Sequence, residues 1–299
     1  MNGYKIIFRS QKLRHAILDV LRFVPDKPMI QLQYRIKMKK RLNLKNPQTY
    51  TEKLQWYKLY YRDELMTCCA DKHSVREYLS GRGYQELSCK EYGVFDRPED
   101  IVFEDLPEKF VIKTTNGSGT NIICKDKNSF DVTKAVKEIK SWLKRDCYGL
   151  GREWAYKDIK PRIIVEEYLE DKENPYDGIN DYKFICFGGK VHYVVFDADR
   201  YVNHKRNIYD ADWNYIDVGT DCEKLGDVVE KPEGFEEMKR IAEDLAKDFP
   251  CVRVDLYWVN NRAYFGELTF YPWTGYVVFD PEEFDAEMGT KFELPVKKC

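Results

Sequence analysis

Two carboxylates near the C-terminal end of the sequence have the chemistry and the spacing of a cation site. Asp255 and Glu267 lie in the stretch CVRVDLYWVNNRAYFGELTFYPWTG, residues 251–275, which predicts two strands joined by a tight turn. Neighbouring carboxylates repel each other unless a cation lies between them, and hard oxygen ligands suit a Mg²⁺ ion that also binds phosphate. The alternative is a strand pair whose polar face is simply exposed.

The register of this hairpin decides whether the two carboxylates meet. A three-residue loop at 260–262 would pair Val259 with Ala263 and set the carboxylates opposite each other, with Cβ atoms about 5 Å apart. A two-residue loop, Asn260-Asn261, would place them on opposite faces of the sheet. We expect the three-residue loop because it keeps the apolar residues together. The expected apolar face collects Val252, Val254, Leu256, Trp258, Tyr264, Leu268 and Phe270, and the expected polar face collects Arg253, Asp255, Tyr257, Phe265, Glu267 and Thr269.

A glycine-rich loop is the second feature that could bind phosphate. An apolar strand at 110–113 ends in Lys113, and the loop TTNGSGTN at 114–121 leads into another strand at 122–124. Gly117 and Gly119 would let backbone N–H groups approach a phosphate, with the Ser118 hydroxyl as an added donor. No GxxxxGK[ST] pattern is present and no helix follows directly, so this is not a Walker loop. The alternative is an ordinary hairpin turn.

Lys72 is a third candidate because its position opposes a helix dipole. Asp71 is expected to cap a helix that runs through Leu79 and ends at Gly81 and Gly83. A lysine in the first turn of a helix meets the positive end of the dipole. Lys72 is therefore expected either to face a bound anion or to be exposed to solvent.

The elements that must position these residues mix helix and strand patterns. Thr49 followed by Glu52 predicts a capping box, and Asp131 or Thr133 is expected to begin a helix that runs to about residue 145. The tail from Phe284 is expected to be loosely held. Strands are predicted at 161–169, 181–187, 190–196 and 209–216, and a helix at 234–249 has Phe235, Met238, Ile241, Ala242 and Leu245 on one face.

Length and composition exclude several classes of protein. With 299 residues, 43% hydrophobic and 33% charged, the chain is expected to be soluble and globular, in one large or two smaller domains. No apolar run approaches the roughly 20 residues of a membrane span, and residues 1–10 do not have the pattern expected of a signal peptide. Nine cysteines without paired spacing favour the reducing cytoplasm, and four scattered histidines argue against a zinc site.

The N-terminal segment carries a large share of the positive charge. Residues 1–45 contain 12 Lys and Arg against Asp19 and Asp26, whereas the whole chain has a net charge of -2. Helices are predicted at 13–23 and 29–42. These basic helices would either contact the inner face of an anionic membrane or pack against the main body with their lysines in solvent.

Taken in chain order, these features resemble the ATP-grasp superfamily, and more closely its TupA-like branch, found with bacterial cell-surface polysaccharide and teichuronopeptide synthesis. The resemblance spans about 70–280 and implies an α+β fold in which two α+β subdomains clasp ATP. The residues that carry it are ADKHSVREYL (70–79), LPEKFVIKTTNGSG (106–119), GREWAYKDIKPRIIVEEYL (151–169), DYKFICFGGK (181–190) and VRVDLYWVNNRAYFGELTFYPWTG (252–275).

The same resemblance implies a division of the chain into four regions. A helical basic region occupies 1–69, and the nucleotide-binding region begins at 70–109. The small (lid) subdomain would occupy 110–170, and the large subdomain with the metal-binding hairpin would occupy 171–299.

The resemblance also implies which residues would bind ATP. Lys72 and Lys113 would neutralise its phosphates, and the loop with Gly117, Ser118 and Gly119 would close over them as a lid. Lys183 would reach the phosphates from the facing sheet. The adenine hinge would consist of Glu166, Glu167, Tyr168 and Leu169.

For metal binding and catalysis the resemblance points back to the hairpin. Asp255 and Glu267 would hold Mg²⁺, and Arg253 would stabilise the acyl phosphate and the tetrahedral intermediate, with Lys183 as a second catalytic cation. Thr269 stands where many ATP-grasp ligases have an asparagine that also binds metal; threonine is a weaker neutral ligand.

The implied activity is an ATP- and Mg²⁺-dependent carboxylate–amine ligation through an acyl phosphate. Its substrates would be a small-molecule carboxylate and amine, or a lipid-linked or polymeric glycan, and no nucleic acid. One alternative is a nucleotide-sugar glycosyltransferase, in which Asp197-Ala198-Asp199 would serve as a DxD metal site. The other is a small-molecule kinase on the same fold.

Overall fold

Helices and strands follow the alternation of patterns along the chain. The computed structural model describes residues 18, 20–171, 178–198 and 203–298 of the 299-residue chain. Its helices are α1 (Asp26–Met38), α2 (Tyr50–Tyr60), α3 (Glu64–Ala70), α4 (Val75–Gly81), α5 (Val132–Trp142), α6 (Cys147–Gly151), α7 (Phe235–Ala246) and α8 (Glu283–Lys291). Its strands are β1 (Glu91–Phe95), β2 (Phe110–Thr114), β3 (Asn121–Cys124), β4 (Ile163–Glu167), β5 (Asp181–Phe187), β6 (Lys190–Ala198), β7 (Lys205–Asp210), β8 (Tyr215–Ile216), β9 (Glu223–Lys224), β10 (Cys251–Val259) and β11 (Arg262–Thr269).

The larger of two sheets has the strand order β11-β10-β5-β6-β7-β8, and β9 joins β7 in parallel. Neighbours along the main path are antiparallel. Helix α7 packs against β10, β5 and β6 through the apolar face predicted from the sequence, which is buried. This sheet forms the main core because its central strands are apolar on the face toward α7.

The smaller sheet has the order β1-β4-β2-β3 and is also antiparallel. Asp131 caps helix α5, because its carboxylate accepts a hydrogen bond from the Lys134 N–H at 2.9 Å. Its apolar residues Ile139 and Trp142 join Phe110 and others from the strands in a separate core. With helices and antiparallel sheets together, the fold class is α+β, as predicted.

In the hairpin β10–β11, Asp255 pairs with Glu267 as predicted, but the turn differs from the predicted one. The turn has two residues, because Asn260 and Asn261 both adopt positive φ (50° and 58°) and Val259 pairs with Arg262. The three-residue loop was therefore wrong. A β-bulge at Gly266 adds one residue to β11, so Asp255 still pairs with Glu267.

The bulge also changes which aromatic residues face the core. Between the turn and Gly266 the register places Leu256 opposite Phe265, and Phe265 is buried with the core. Tyr264 pairs instead with Tyr257, and both are partly exposed. The predicted faces were wrong for Phe265 and Tyr264, because they assumed an uninterrupted alternation along β11.

Helix α2 begins with the predicted capping box. The Thr49 hydroxyl accepts from the Glu52 N–H at 3.3 Å, and a Glu52 carboxylate oxygen accepts from the Thr49 N–H at 3.4 Å. Asp71 accepts from two backbone N–H groups, those of His73 and Ser74, in the turn before α4. The capping box satisfies N–H groups of the first turn of α2. Helix α4 begins only at Val75, with Ser74 at its N-cap position and no side-chain cap, so the predictions that Asp71 caps this helix and that Lys72 lies in its first turn were wrong.

Both ends of the described chain pack against α2. The hydroxyls of Tyr34 in α1 and Thr51 in α2 lie 3.0 Å apart. Thr51 also donates from its N–H and hydroxyl to the Asp285 carboxylate of α8, at 2.9 and 2.7 Å. Phe284 and Phe292 are buried, so the prediction of a loosely held tail was wrong.

Most of the predicted helix at 13–23 lies outside the described residues; Leu21–Phe23 form one turn of 3₁₀ helix. The second predicted helix exists as α1 and begins and ends about three to four residues earlier than predicted. Within the described ranges, none of the helices has both the length and the hydropathy of a membrane span.

Candidate active site

The polar face of the larger sheet carries a row of charged side chains across three strands. Glu267, Asp255 and Lys183 lie directly opposite one another on β11, β10 and β5. Arg253 and Asp181 lie two residues away on their own strands, and the period of two places them on the same face. The strand order therefore places these five charged side chains next to one another.

Arg253 bridges the two carboxylates of the hairpin. Its Nε and Nη2 donate to the Asp255 carboxylate at 2.6 Å each, and Nη2 also donates to Glu267 Oε1 at 3.0 Å. The Thr269 hydroxyl donates to the same Glu267 oxygen at 3.3 Å. The structure thus brings together the four hairpin residues that the sequence predicted as metal ligands and catalytic cation.

The electrostatics of this group depend on burial. Burial raises the pKa of the Asp255 carboxyl to about 6, although Arg253 and Lys183 act in the opposite direction. Burial lowers the pKa of the Arg253 guanidinium, but Asp255 and Glu267 outweigh it and raise that pKa above its ordinary value. A permanent cation therefore lies beside two carboxylates that repel each other.

The donor set fits Mg²⁺ of the kind that proteins share with phosphate. Asp255 and Glu267 already converge on one cationic group, and Thr269 adds a neutral oxygen next to them. In the described part of the chain, no three His, Cys, Asp or Glu side chains form a complete metal cage. Mg²⁺ commonly binds one or two carboxylates and takes its other ligands from water and phosphates. Two carboxylates are enough for that arrangement.

Lys183 is held in a buried ion network next to this pair. Its Nζ contacts the Asp181 carboxylate and lies 3.3 Å from Asp197 Oδ2 and 3.7 Å from Asp255 Oδ2. The residue is 5% exposed. Lys183 therefore places its charge at the β5 side of the carboxylate pair and is enclosed by acidic groups.

Asp197 ends the network on the β7 side. Burial alone would raise its pKa, but Lys183, His204 and Arg206 together hold that pKa well below its usual range. Arg206 donates to both carboxylate oxygens, at 2.6 and 3.2 Å. Asp197 is 1% exposed, so it does not offer its carboxylate to a sugar nucleotide as a DxD residue would, and Asp199 lies outside the described residues.

Sequence reasoning did not identify Asp181, His204 or Arg206 as site residues. Asp181 could have been found, because it precedes Lys183 by two residues in a predicted strand and must share its face. His204 and Arg206 carried no such signal, because only the pairing of β6 with β7 brings them to Asp197.

The glycine-rich loop is fixed at its base and exposed at its tip. The Thr114 and Thr120 hydroxyls lie 2.8 Å apart across the loop. Gly117 and Gly119 adopt φ of +67° and +71°, which side chains rarely adopt. Ser118 is exposed, so the tip has the form expected of a lid that presents its backbone to a ligand.

Lys72 lies against this loop. Its backbone N–H donates to the Thr115 carbonyl at 2.9 Å, and its Nζ donates to the Gly117 carbonyl at 2.6 Å. The Lys72 ammonium is thus partly exposed and bonded to the loop itself, and binding of an anion there stays a prediction.

On the smaller sheet, Lys113 and Arg76 flank Glu166. Lys113 Nζ lies 2.9 Å from one Glu166 oxygen, and Arg76 Nη2 lies 2.8 Å from the other. Burial opposes ionisation, but the two cations outweigh it and lower the pKa of Glu166. Glu167, Tyr168 and Leu169 follow at the end of β4 and are partly exposed, and Glu167 donates its N–H to the Lys90 carbonyl.

Cys147 and Tyr156 connect the lid to the carboxylate pair. The Asn116 amide donates to Cys147 Sγ at 3.3 Å, and a Cβ atom on Gly117 would lie only 2.5 Å from that sulfur. Burial raises the pKa of the Tyr156 hydroxyl, and Glu267, Arg253 and Cys147 all act on it electrostatically. Tyr156 thus has both the hairpin and Cys147, which contacts the lid, among its electrostatic neighbours.

Comparison with known proteins identifies a family. A family model described as TupA-like ATPgrasp matches residues 52–293. A search of curated proteins returns no match.

Solved structures with a similar fold include two D-alanine–D-alanine ligases. The enzyme from Bacillus anthracis, complexed with ATP, is 15% identical, with a TM-score of 0.42 over 68% of this chain and 55% of that chain. The enzyme from Helicobacter pylori is 14% identical, with a TM-score of 0.44 over 80% of this chain and 67% of that chain. Phosphoribosylamine–glycine ligase from Thermotoga maritima is 13% identical, with a TM-score of 0.43 over 80% of this chain and 59% of that chain.

Proposed function

The chain belongs to the TupA-like ATP-grasp family, and from that premise we propose that it is an ATP- and Mg²⁺-dependent carboxylate–amine ligase. Use of ATP and Mg²⁺ is typical of this family. In the proposed reaction a substrate carboxylate takes the γ-phosphoryl group of ATP, an amine then displaces phosphate, and an amide, ADP and phosphate are released. The carboxylate pair on β10 and β11 is the observation that carries the proposal.

Asp255 and Glu267 would hold the metal, with Thr269 beside them. When bound there, Mg²⁺ supplies positive charge to the β- and γ-phosphates of ATP. Arg253 lies between the two carboxylates, and its charge would offset the oxyanion that develops at the reacting carbonyl. Lys183 adds a further charge from the β5 side, 3.7 Å from Asp255.

The smaller sheet would bind the rest of the nucleotide. Lys113 and Lys72 would contact the phosphates, and the exposed tip at Gly117, Ser118 and Gly119 would close over them. The segment of Glu166, Glu167, Tyr168 and Leu169 would contact adenine at the end of β4.

For the substrates, we propose a uronic acid or amino acid as the carboxylate and an amino acid or amino sugar as the amine. Family likeness to TupA supports a role in bacterial cell-surface polysaccharide synthesis, and the acceptor would then be a sugar precursor or a lipid-linked glycan. The charged row on the larger sheet suits polar substrates of this kind.

The test is a screen of ADP release with ATP and Mg²⁺, in which uronic acids and amino acids are crossed with amino acids and amino sugars. We expect release that requires both a carboxylate and an amine, together with thermal stabilisation by ATP and Mg²⁺. Stabilisation by UDP-sugars with Mn²⁺ instead would contradict the proposal, and a stable phosphorylated product formed without any amine would identify a kinase.

We also propose that α1 and the turn before it contact an anionic membrane surface. Phe23, Leu32 and Ile36 are 81%, 48% and 45% exposed, although the opposite face of α1 packs against the protein. Exposed basic side chains such as Arg35 and Lys39 surround them. Exposed apolar side chains within a basic surface favour an anionic lipid interface.

Vesicles of phosphatidylglycerol and phosphatidylcholine would test this contact. We expect Leu32→Ser with Ile36→Ser to weaken vesicle binding by about tenfold, because burial of each side chain contributes up to about 1.5–3 kcal/mol. Val102→Ser is the matched control, since Val102 is 54% exposed on a different part of the protein. Equal binding by the double variant and the control would contradict the contact.

A further inference from the structure

A histidine and a buried aspartate meet at the β7 end of the charged row on the larger sheet. His204 Nε2 is buried and lies 3.0 Å from Asp197 Oδ1, within hydrogen-bonding distance although the ring is not aligned for a linear bond. The His204 side chain is 35% exposed. An ionised carboxylate can only accept a hydrogen bond, so Nε2 carries the proton and the lone pair of the neutral ring is on Nδ1. Among the described residues, Nδ1 has no hydrogen-bonding partner.

The aspartate of this pair is held in place by other groups. Arg206 donates to its two oxygens at 2.6 and 3.2 Å, and Lys183 Nζ lies 3.3 Å from Oδ2. Arg206 is fixed in turn, because its Nη1 donates to Thr220 at 3.3 Å and to Asp221 at 3.1 Å. A carboxylate that is fixed in this way can orient an imidazole and keep its proton on the nitrogen that faces the carboxylate. A partly exposed imidazole with such a partner is a candidate general base, and the hydrogen bonds of such bases are often poorly aligned before substrate binds.

The histidine and the metal-binding hairpin lie along one charged row. Lys183 Nζ is 3.3 Å from Asp197 Oδ2 on one side and 3.7 Å from Asp255 Oδ2 on the other. Two charged side chains therefore separate His204 from the carboxylate pair. In the sheet, β7 and β10 are three strand spacings apart, which corresponds to about 14 Å.

The segment that follows the hairpin returns to the β7 end of this row. The Arg206 guanidinium lies 5.6 Å from the centre of the Trp273 ring, which comes shortly after the end of β11. Trp273 and Thr274 adopt φ of 52° and 56°, a conformation that is strained for residues with side chains. Lys58 and Gln55 of α2 hold the turn by donating to the Thr274 carbonyl, at 2.7 and 3.3 Å. Trp273 thus joins the hairpin to the β7 end by a route that is independent of the strands, and strained residues fixed in this way are typical of functional sites.

We propose that His204 is the base that takes a proton from the attacking amine and that Asp197 is the positioning residue that orients it. The proposal rests on the ligase function proposed above. It concerns a primary amine, which enters as an ammonium ion and must lose a proton before it can attack. The carboxylate would be activated at the hairpin end of the row, so the amine would approach it from the β7 side. Attack needs a contact of about 3–3.5 Å and the base a hydrogen bond of about 2.6–3.2 Å, which together are shorter than the distance between β7 and β10.

The proton and electron balance is complete with the groups named. His204 Nδ1 accepts one proton of the ammonium ion. The freed lone pair forms the C–N bond, and the bond between the carbonyl carbon and the phosphate oxygen breaks with its electron pair on phosphate. A second amine proton leaves with phosphate as hydrogen phosphate, and His204 returns its proton to solvent.

His204→Ala tests this role when two nucleophiles are compared. Hydroxylamine carries a free lone pair at neutral pH and traps an acyl phosphate as a hydroxamate without a base. We expect the variant to form hydroxamate within about twofold of the wild-type rate, and to form amide with the best primary amine of the screen at least about 100-fold more slowly. His192→Ala is the matched control, because His192 is a partly exposed histidine at the other end of β6, where it contacts Phe187, and both of its rates should be unchanged.

Free imidazole provides a second measurement that a purely structural role would not affect. The His204 side chain is partly exposed, so its removal leaves a space that a small molecule can enter from solvent. Added imidazole should raise amide formation by His204→Ala at least about tenfold and leave its hydroxamate rate unchanged. The wild type and His192→Ala should respond by less than about twofold, which excludes a direct reaction of imidazole with the acyl phosphate.

The pH profile of amide formation is a third measurement. In the wild type the rate should rise with pH and level off once the imidazole is neutral, because an ammonium ion then meets a base that can accept its proton. In His204→Ala the rate should continue to rise with the fraction of free amine. The charged and titratable groups that surround His204 among the described residues are Lys183, Asp181, Asp197, Arg206, Asp221 and Cys222. Lysine, aspartate, arginine and cysteine side chains ordinarily titrate outside the range of pH 5–8, so the acidic limb would report the imidazole.

Other outcomes would overturn the assignment. Equal loss of hydroxamate and amide in His204→Ala, without recovery in imidazole, would make His204 necessary for the fold or for carboxylate activation. Retention of both rates would leave it without a role in proton transfer. If wild-type protein forms no hydroxamate from any carboxylate of the panel, the ligase proposal itself fails. That result is distinct, since it precedes any variant.

Discussion

The two sheets handle buried charge in opposite ways. On the smaller sheet, Glu166 lies between two cations that lower its pKa. On the larger sheet, burial raises the pKa of Asp255 to about 6, and Asp181 and Glu267 add to the effect. The carboxylate of the smaller sheet is therefore held ionised by two cations, whereas burial raises the pKa of Asp255 on the larger sheet even beside Arg253.

This difference suits two different ligands. A polyphosphate would supply negative charge to the cations of the smaller sheet. A metal ion would supply positive charge to the carboxylate pair of the larger sheet, beside that of Arg253. In the proposed reaction, ATP with Mg²⁺ would supply both.

The largest expected effect is on the carboxylate pair. Glu267→Gln should lower ADP release by about 10³, because loss of a metal ligand removes several kcal/mol of transition-state stabilisation. The fold should remain, since the Glu267 side chain is 32% exposed. ADP release and thermal unfolding are measured together, with Glu99→Gln as the control. Turnover within tenfold of the wild type would remove Glu267 from the metal site.

On the smaller sheet, Lys113→Met should weaken ATP binding. We expect the KM for ATP to rise by about 10- to 100-fold, because a hydrogen bond to a charged group contributes about 1.5–3 kcal/mol. Lys109→Met is matched to it, as Lys109 precedes the same strand and pairs with Glu170 in solvent. If both variants raise KM equally, the effect comes from net charge and not from contact with phosphate.

Glu166→Gln tests the sign of the pKa difference. The lowered pKa means that ionised Glu166 stabilises the folded state above its ordinary pKa of 4.5, and that this stability is lost as pH falls through the lowered value. At neutral pH the variant should lose about 1.5–3 kcal/mol, the contribution of a charged hydrogen bond. The free energies of unfolding of the two proteins should converge below pH 4.5. A difference in unfolding free energy that stays constant as pH falls would show that Lys113 and Arg76 do not lower the pKa of Glu166.

Two glycines of the lid, Gly117 and Gly119, allow a test of whether Cys147 contacts the lid. Gly117→Ala and Gly119→Ala should each cost about 1–2 kcal/mol, because both residues adopt positive φ. Gly117→Ala should cost more, since its Cβ would meet Cys147 Sγ at 2.5 Å, whereas nothing lies within 4 Å of a Cβ on Gly119. Urea unfolding measures both, and Cys147→Ala should remove the excess. Equal costs would mean that Cys147 does not contact the lid.

The smallest effect is expected at the turn of the metal-binding hairpin. Asn261→Gly should stabilise the protein by a few tenths of a kcal/mol, because Asn-Gly is favoured where both central residues have positive φ. Thermal unfolding measures the change, and ATP binding should be unaffected. A loss of stability would indicate a turn of a different type.

The features that could be predicted from the sequence are those set by local rules. The capping box at Thr49 and Glu52, the buried face of α7 and the strand that carries Asp255 each depend on residues within a few positions. The pairing of Asp255 with Glu267 was also predicted correctly, since one apolar and one polar face must be kept on each strand.

The remaining features depend on contacts between distant segments. The network of Asp197, His204 and Arg206 exists only because β6 pairs with β7, and the burial of α8 depends on Thr51 binding Asp285. None of these contacts leaves a periodic signal in the sequence. The bulge is different: an isolated glycine within a strand pattern can indicate a bulge, and at Gly266 the Asp255 carbonyl lies 3.0 Å from where a Cβ would be.

The bulge at Gly266 has a consequence for how such a ribbon can vary. The segment between Asp255 and Glu267 has one residue more than a regular two-residue hairpin needs. That extra residue could lie in the turn or next to Glu267, and either position preserves the pairing of the two acids. With the extra residue in the turn, the strands would lack the bulge. With the extra residue at Gly266, the ribbon twists locally next to Glu267. The orientation of the Glu267 carboxylate can thus be changed by moving a glycine, while the residues that bind or react stay the same.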